Sequence, residues 1–322
     1  MALVFDLAIF ISSCIVLVFA GGLLVRSLSK LASFLRISEF ILAFILMAIS
    51  TSIPELFVGI SSALQGNPAL ALGTVIGSNI ADLTLVAGIA ALLGRGLKLK
   101  SKRIMSDAYW MIALAALPIV LMWVGNSLSR IDGIVLLAIV LLYIFRLLRH
   151  RKKYSAKFAD SVNRWAVLGY FVLFCASFPL LYFTAKYVVA SGSALAFDLS
   201  LPALFVGLFF IALGTSLPEL VFESRAVLAG SGDMALGDLI GSVIMNSTLV
   251  LGVVAIIMPI SANIFLFFTS SFFMLLMCLL FAVFLETGKG ITWKEGLVLL
   301  FMYVLFLIVE LNLKSFYLVN GA

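Results

Sequence analysis

Residues 51–88 read TSIPELFVGISSALQGNPALALGTVIGSNIADLTLVAG, and residues 215–252 read TSLPELVFESRAVLAGSGDMALGDLIGSVIMNSTLVLG. At a constant offset of 164, 18 of the 38 positions are identical without a gap. Apolar bias alone does not set Thr, Ser, Pro, Glu, Gly and Gly-Ser in the same order twice. The chain therefore carries an internal repeat, and the architecture follows from that repeat.

The solvent is set by composition. Of 322 residues, 64% are hydrophobic and only 11% charged, and the mean hydropathy is +1.26. A water-soluble domain cannot hide that much apolar surface. Many uninterrupted apolar stretches reach the ~18–20 residues that carry a helix across a ~30 Å hydrocarbon core. Apolar and polar residues do not alternate strictly, which argues against a transmembrane barrel. Residues 1–25 carry Asp6, lack a basic leader and are apolar over a long run, so they read as a first membrane helix rather than a signal peptide. Cys14, Cys175 and Cys278 all fall in apolar segments and suit helix packing better than a disulfide framework.

About ten membrane helices are expected, over 2–25, 37–65, 69–93, 105–124, 130–149, 164–192, 200–229, 233–258, 262–285 and 291–312. Loops after odd-numbered helices then hold 17 of the 21 Lys and Arg residues. By the positive-inside rule those loops are cytoplasmic and both termini extracellular. The net charge of +6 is thus topological and does not signal nucleic acid. Residues 150–163 form a basic cytoplasmic loop between halves 1–149 and 164–322, with the repeats at about 44–90 and 208–254. Five helices per half is an odd number, so the halves are inverted. The expected fold is an all-α membrane protein of two inverted five-helix repeats. Inverted repeats place the substrate site at their interface near the bilayer midplane, often on interrupted helices.

Each repeat opens with T-S-x-P-E. Pro54 and Pro218 remove a backbone donor within a span and disturb the turn before them. Freed carbonyls in lipid need a cavity, water or an ion. Glu55 and Glu219 follow directly, and an ionisable group at mid-membrane costs at least ~3 kcal/mol unless compensated, which makes it functional by default. Thr51 and Ser52, like Thr215 and Ser216, lie three to four residues before the glutamate and share its face. The second helix of each repeat carries Ser78 with Asp82, or Ser242 with Asn246, four apart. Gly73, Gly77, Gly237 and Gly241 allow close helix approach. Every candidate ligand is oxygen; none is His or Cys. Hard oxygen cages suit Ca²⁺ and Na⁺ rather than zinc or copper.

These motifs resemble the cation/Ca²⁺ exchanger superfamily, and most closely the microbial Na⁺/Ca²⁺ exchangers. The resemblance rests on some 76 residues of the two repeats. It implies that Glu55 and Glu219 are the central Ca²⁺ ligands, shared with Na⁺. It implies that Thr51, Ser52, Ser78, Thr215, Ser216 and Ser242 add oxygens. Ala48 and Ala212 match positions whose backbone carbonyls serve Na⁺, and Asp82 and Asn246 match the remaining ligand pair. Archaeal members are expected to carry Asn in the first repeat and Asp in the second; here the two are exchanged. The implied mechanism is alternating access, with the first and sixth helices sliding as a gate.

The reading is a secondary antiporter exchanging Ca²⁺ for Na⁺ in the plasma membrane, working as a monomer and without a cofactor. A Ca²⁺/H⁺ antiporter is the alternative on the same scaffold. It would more often place His near the glutamates, and the single His150 is outside the repeats. A passive cation channel is the alternative of a different class, although channels usually surround a pore with several subunits. No catalytic Ser/Lys or Asp/Asp pattern supports an enzyme. Glu223, one turn after Glu219, either extends the cytoplasmic access path or pairs with Arg225; Asp238, four before Ser242, either lines the site or caps its helix.

Overall fold

The two halves repeat each other element by element. The computed structural model describes residues 2–34, 47–99, 102–149, 164–199, 201–261, 264–288 and 290–320. The first half contains α1 (Ala2–Phe34), α2 (Ala48–Thr51), α3 (Ile53–Leu64), α4 (Pro68–Ala81), α5 (Ala87–Leu93), α6 (Lys102–Gly125) and α7 (Arg130–Arg149). The second contains α8 (Arg164–Asp198), α9 (Ala203–Val206), α10 (Ala212–Thr215), α11 (Leu217–Leu228), α12 (Gly232–Met245), α13 (Leu251–Ile257), α14 (Ile264–Gly288) and α15 (Trp293–Asn320). The offset of 164 maps α2 onto α10, α3 onto α11, α4 onto α12 and α5 onto α13, residue for residue. The fold is the all-helical membrane architecture of two inverted five-span repeats. Among the described residues, nine spans are long and apolar enough to cross a bilayer. Ala48–Leu64 is a shorter apolar stretch. It is the C-terminal part of the second expected span, whose residues 37–46 lie outside the described residues, as does the expected basic loop 150–163.

Several spans are broken where the repeats carry their motifs. Ser52 (φ −78°, ψ −2°) separates α2 from α3, and Ser216 (φ −82°, ψ 0°) separates α10 from α11. Pro54 and Pro218 sit in the first turn of the following helix, where their missing N–H costs nothing. Single π-helical turns, Asp82–Val86, Gly207–Ile211 and Asn246–Val250, join α4 to α5, α9 to α10 and α12 to α13. Such turns widen a helix locally and cluster at functional sites.

Burial divides the spans into two kinds. The Pro68–Leu93 span is 83% buried over its central window and the Gly232–Ile257 span 78%, whereas Ala166–Asp198 is only 11% buried. The first two form the centre; α8 packs along α1 at the lipid boundary. Close approach at the centre needs glycine: a Cβ at Gly73 or Gly77 would strike the backbone oxygens of Leu204 or Leu208.

The all-α expectation holds for the spans, and short strand pairings occur between them. β1 (Leu97–Lys98) and β2 (Gly290–Ile291) form a two-stranded antiparallel ladder that ties the two halves together. An isolated bridge between Leu128 and Ile260 does the same at nearly the symmetry-related position. Loops between spans leave backbone donors and acceptors outside any helix, and pairing across halves satisfies them. Arg146, in the last turn of α7, lies 3.5 Å from the buried Asp107 and over the Trp110 ring.

Candidate functional site

The four broken spans cross at the motif residues. α4 packs on α10, and α12 packs on α2, so each repeat's second helix meets the other repeat's first. Two symmetric hydrogen bonds mark the crossing. Thr51 Oγ1 and Ser242 Oγ lie 2.9 Å apart, and Ser78 Oγ and Thr215 Oγ1 lie 3.1 Å apart. Adding 164 to Thr51 and Ser78 gives Thr215 and Ser242, so one bond is the pseudo-two-fold image of the other.

Around this frame the remaining motif residues are buried and unpartnered. Glu55, Glu219, Asp82 and Asn246 expose 1% of their surface or less. No side-chain oxygen or amide nitrogen of these four has a hydrogen bond, nor do the hydroxyls of Ser52 and Ser216. Glu219 lies within Coulomb range of Glu55 and Asp82, so the acids of both repeats share one neighbourhood. Thr215 and Ser78 stand beside Glu55, and Ser216 beside Asp82, without closing hydrogen-bond geometry. No Lys or Arg is among the buried described residues. Buried acids with neither donors nor a countercharge are expensive, and a hard cation would relieve several of them at once.

The expected ligands therefore fall into three groups. Glu55, Glu219, Asp82, Asn246, Ser52 and Ser216 have free oxygens. Thr51, Ser78, Thr215 and Ser242 are engaged with each other across the repeats. The Ala48 carbonyl accepts the Ser52 N–H at 3.3 Å and the Thr51 hydroxyl at 3.4 Å, and the Ala212 carbonyl accepts the Ser216 N–H at 3.0 Å and the Thr215 hydroxyl at 3.2 Å, so both carbonyls are engaged within their own helices. Among the described residues no three Asp, Glu, His or Cys side chains converge on one metal-sized point. The acids are neighbours, not a closed cage.

Glu223 and Asp238 are fully buried and face each other within hydrogen-bond reach, and apart from each other their four oxygens have no partner. Pairing of Glu223 with Arg225 is not seen: Arg225 is exposed. Asn79 was not anticipated at all. Its Nδ2 donates to Ser247 Oγ at 2.9 Å, linking α4 to the π turn after α12. The repeat counterparts of Asn79 and Ser247 are the apolar Val243 and Leu83, so the symmetry that exposes the other residues hides this pair.

Comparison with known proteins bears on the family and the fold. The family described as sodium/calcium exchanger protein matches residues 5–149 and 169–312. The sodium/calcium exchanger MaX1 of Methanosarcina acetivorans is 31% identical, over 88% of this chain and 92% of its own. The inner membrane protein YrbG of Escherichia coli is 28% identical, over 88% and 91% respectively. The solved sodium-calcium exchanger NCX_Mj, soaked with 100 mM Na⁺ and 10 mM Sr²⁺, superposes with a TM-score of 0.68 at 25% identity, covering 95% of this chain and 98% of that one. The chain belongs to the sodium/calcium exchanger family of membrane cation exchangers.

Proposed function

We propose that the chain exchanges Ca²⁺ for Na⁺ across the plasma membrane by alternating access. One observation carries the reading: six buried oxygen-bearing side chains, three from each repeat, lie on the broken spans that cross and have no hydrogen-bond partner. Glu55 and Glu219 supply the charge that holds Ca²⁺, with the free hydroxyls of Ser52 and Ser216 beside them, and the Ala48 and Ala212 carbonyls join the oxygen shell when the Thr51 and Thr215 hydroxyls turn to their partners across the repeats. Asp82 and Asn246 stand on the second helices of the two repeats and complete the set. Na⁺ competes for the same oxygens. Occupation by one cation excludes the other through charge, and that competition couples the two fluxes.

The frame formed by Thr51–Ser242 and Ser78–Thr215 holds the site while access changes. The moving part is the α1–α8 pair, whose lipid-facing surface leaves it free to slide over the buried centre. The basic loops face the cytoplasm, both termini face outward, and a single chain with its internal pseudo-symmetry suffices for transport.

The test is ⁴⁵Ca²⁺ uptake into proteoliposomes, driven by an outward Na⁺ gradient or, separately, by a pH gradient. Uptake is expected with the Na⁺ gradient and is lost in Glu55→Gln and Glu219→Gln. Uptake that follows only the pH gradient assigns the protein to Ca²⁺/H⁺ exchange, and flux without any counter-ion assigns it to a channel.

A further inference from the structure

The Glu223–Asp238 pair has no counterpart in the first repeat. The equivalent positions are Gly59 and Thr74. Gly59 is there for space: a Cβ on it would lie 2.7 Å from Val254 Cγ2. In the inverted image the opposing residue is Ala90, smaller than valine, on α5 where α11 packs. The second repeat has thus exchanged a Gly/Val contact for Glu/Ala and made room for a carboxylate. Thr74 satisfies itself by donating to the Leu70 carbonyl at 2.9 Å. An ionised Asp238 is acceptor-only and cannot do the same. Glu223 and Asp238 are both 0% exposed, and apart from each other their four oxygens have no partner. Asp82, equally buried and unpartnered, lies within Coulomb range of both.

We propose that Glu223 and Asp238 form a second cation site, for a divalent ion of the Ca²⁺ class. It lies one helical turn from the exchange site, toward the basic loops, and Asp82 stands between the two. Two facing carboxylates carry the charge that one divalent ion neutralises. Each can bind it through both oxygens, which is ordinary Ca²⁺ coordination. Glu223 follows Glu219 by one turn of α11, and Asp238 precedes Ser242 by one turn of α12. An ion released here is therefore already on the path to Glu55 and Glu219, and Asp82 can contact it in either position. The site makes the path unequal on its two sides, since the face toward the other loops has only Gly59 and Thr74. The proposal rests on reading the central acids as a cation site.

Equilibrium ⁴⁵Ca²⁺ binding to the full chain in lipid nanodiscs tests it. Wild type is expected to bind two ions per chain, Glu223→Gln/Asp238→Asn one, and Glu55→Gln/Glu219→Gln one. One ion in wild type that survives Glu223→Gln/Asp238→Asn overturns the second site and leaves the exchange site standing; the acid pair then holds protons. Two ions that persist in Glu223→Gln/Asp238→Asn also overturn it. Unchanged binding in Glu55→Gln/Glu219→Gln sinks the central reading instead. If that variant fails to fold, the Glu223/Asp238 variant in the otherwise native chain still decides, because a fall from two ions to one is the predicted result and no fall refutes it.

Discussion

Replacing Glu55 by glutamine keeps the side chain's shape and removes its charge, and the structure sets opposite signs for two measurable consequences. Both Glu55 oxygens are buried and unbonded, with Thr215 and Ser78 beside them. An ionised carboxylate so placed carries a desolvation penalty of several kcal/mol when no cation is present. A glutamine amide there is neutral and can both accept from a hydroxyl and donate to one. In ion-free, alkaline buffer the variant is therefore expected to be more stable than wild type, by about 1–3 kcal/mol, the penalty of an unsatisfied buried polar group. Ca²⁺ reverses the order. At 100 times its Kd, a ligand stabilises the native state by about 2.7 kcal/mol. Loss of one charge-assisted contact removes about 1.5–3 kcal/mol of binding, a weakening of roughly 10–150-fold. At the same Ca²⁺ concentration the variant then gains only about 0.3–1.3 kcal/mol from the ligand. Thermal melts of the purified protein, followed by tryptophan fluorescence with and without Ca²⁺, read both signs. A variant that melts lower than wild type without ions, yet shows the full Ca²⁺ shift, refutes the assignment of Glu55 as a charge held for the cation.

Three further expectations follow from particular contacts. In a double-mutant cycle of Thr51→Val and Ser242→Ala, the 2.9 Å bond predicts a coupling of about 0.5–1.5 kcal/mol in melting experiments; additive effects would mean that the bond does not hold the repeats together. A Cβ at Gly21 of α1 would lie 3.0 Å from Pro218 Cγ and 3.1 Å from Pro54 Cγ, so Gly21→Val should slow Na⁺-driven uptake at least several-fold while leaving equilibrium Ca²⁺ binding near wild type. Asp82→Asn should weaken Ca²⁺ binding about tenfold, roughly 1.4 kcal/mol, and adding Asn246→Asp should restore most of it in the same binding assay, because the pair occupies pseudo-equivalent places.

Much of this was readable before any coordinates, for a physical reason. A midplane acid next to a proline is costly in lipid, and the same cost at positions 55 and 219 leaves little room for accident. The breaks at Ser52 and Ser216 follow from those prolines, and the inversion follows from counting spans and basic residues. What escaped has equally definite causes. The π turns at Asp82, Gly207 and Asn246 carry no composition signal, since their residues suit an ordinary helix. The β1–β2 ladder is two residues long on each side, too short for any alternating pattern. Asn79 and Ser247 pair across repeats at positions that the repeat itself does not duplicate. The state of each hydroxyl was also out of reach. Motif spacing puts Thr51 and Ser52 on one face, but only the packing of α12 on α2 gives Thr51 to Ser242 and leaves Ser52 free.

That division of labour between adjacent hydroxyls bears on how the exchanger can move. Threonine and serine pairs that bridge the repeats fix α2 to α12 and α4 to α10, so these four segments shift together or not at all. The unpartnered side chains Ser52, Glu55, Asp82, Ser216, Glu219 and Asn246 follow directly on these segments, so a frame that moves as one unit would keep them in register. Under the alternating access proposed above, the switch then falls to elements outside the frame. The poorly buried α8, with α1 along it, meets that requirement, and Gly21 places α1 against both repeat prolines at once. A sliding α1 would therefore sense the two halves of the site together, through Pro54 and Pro218. On that proposal the inverted repeats would make the two end states near-images of each other, and the acids on α11 and α12 would distinguish one side from the other.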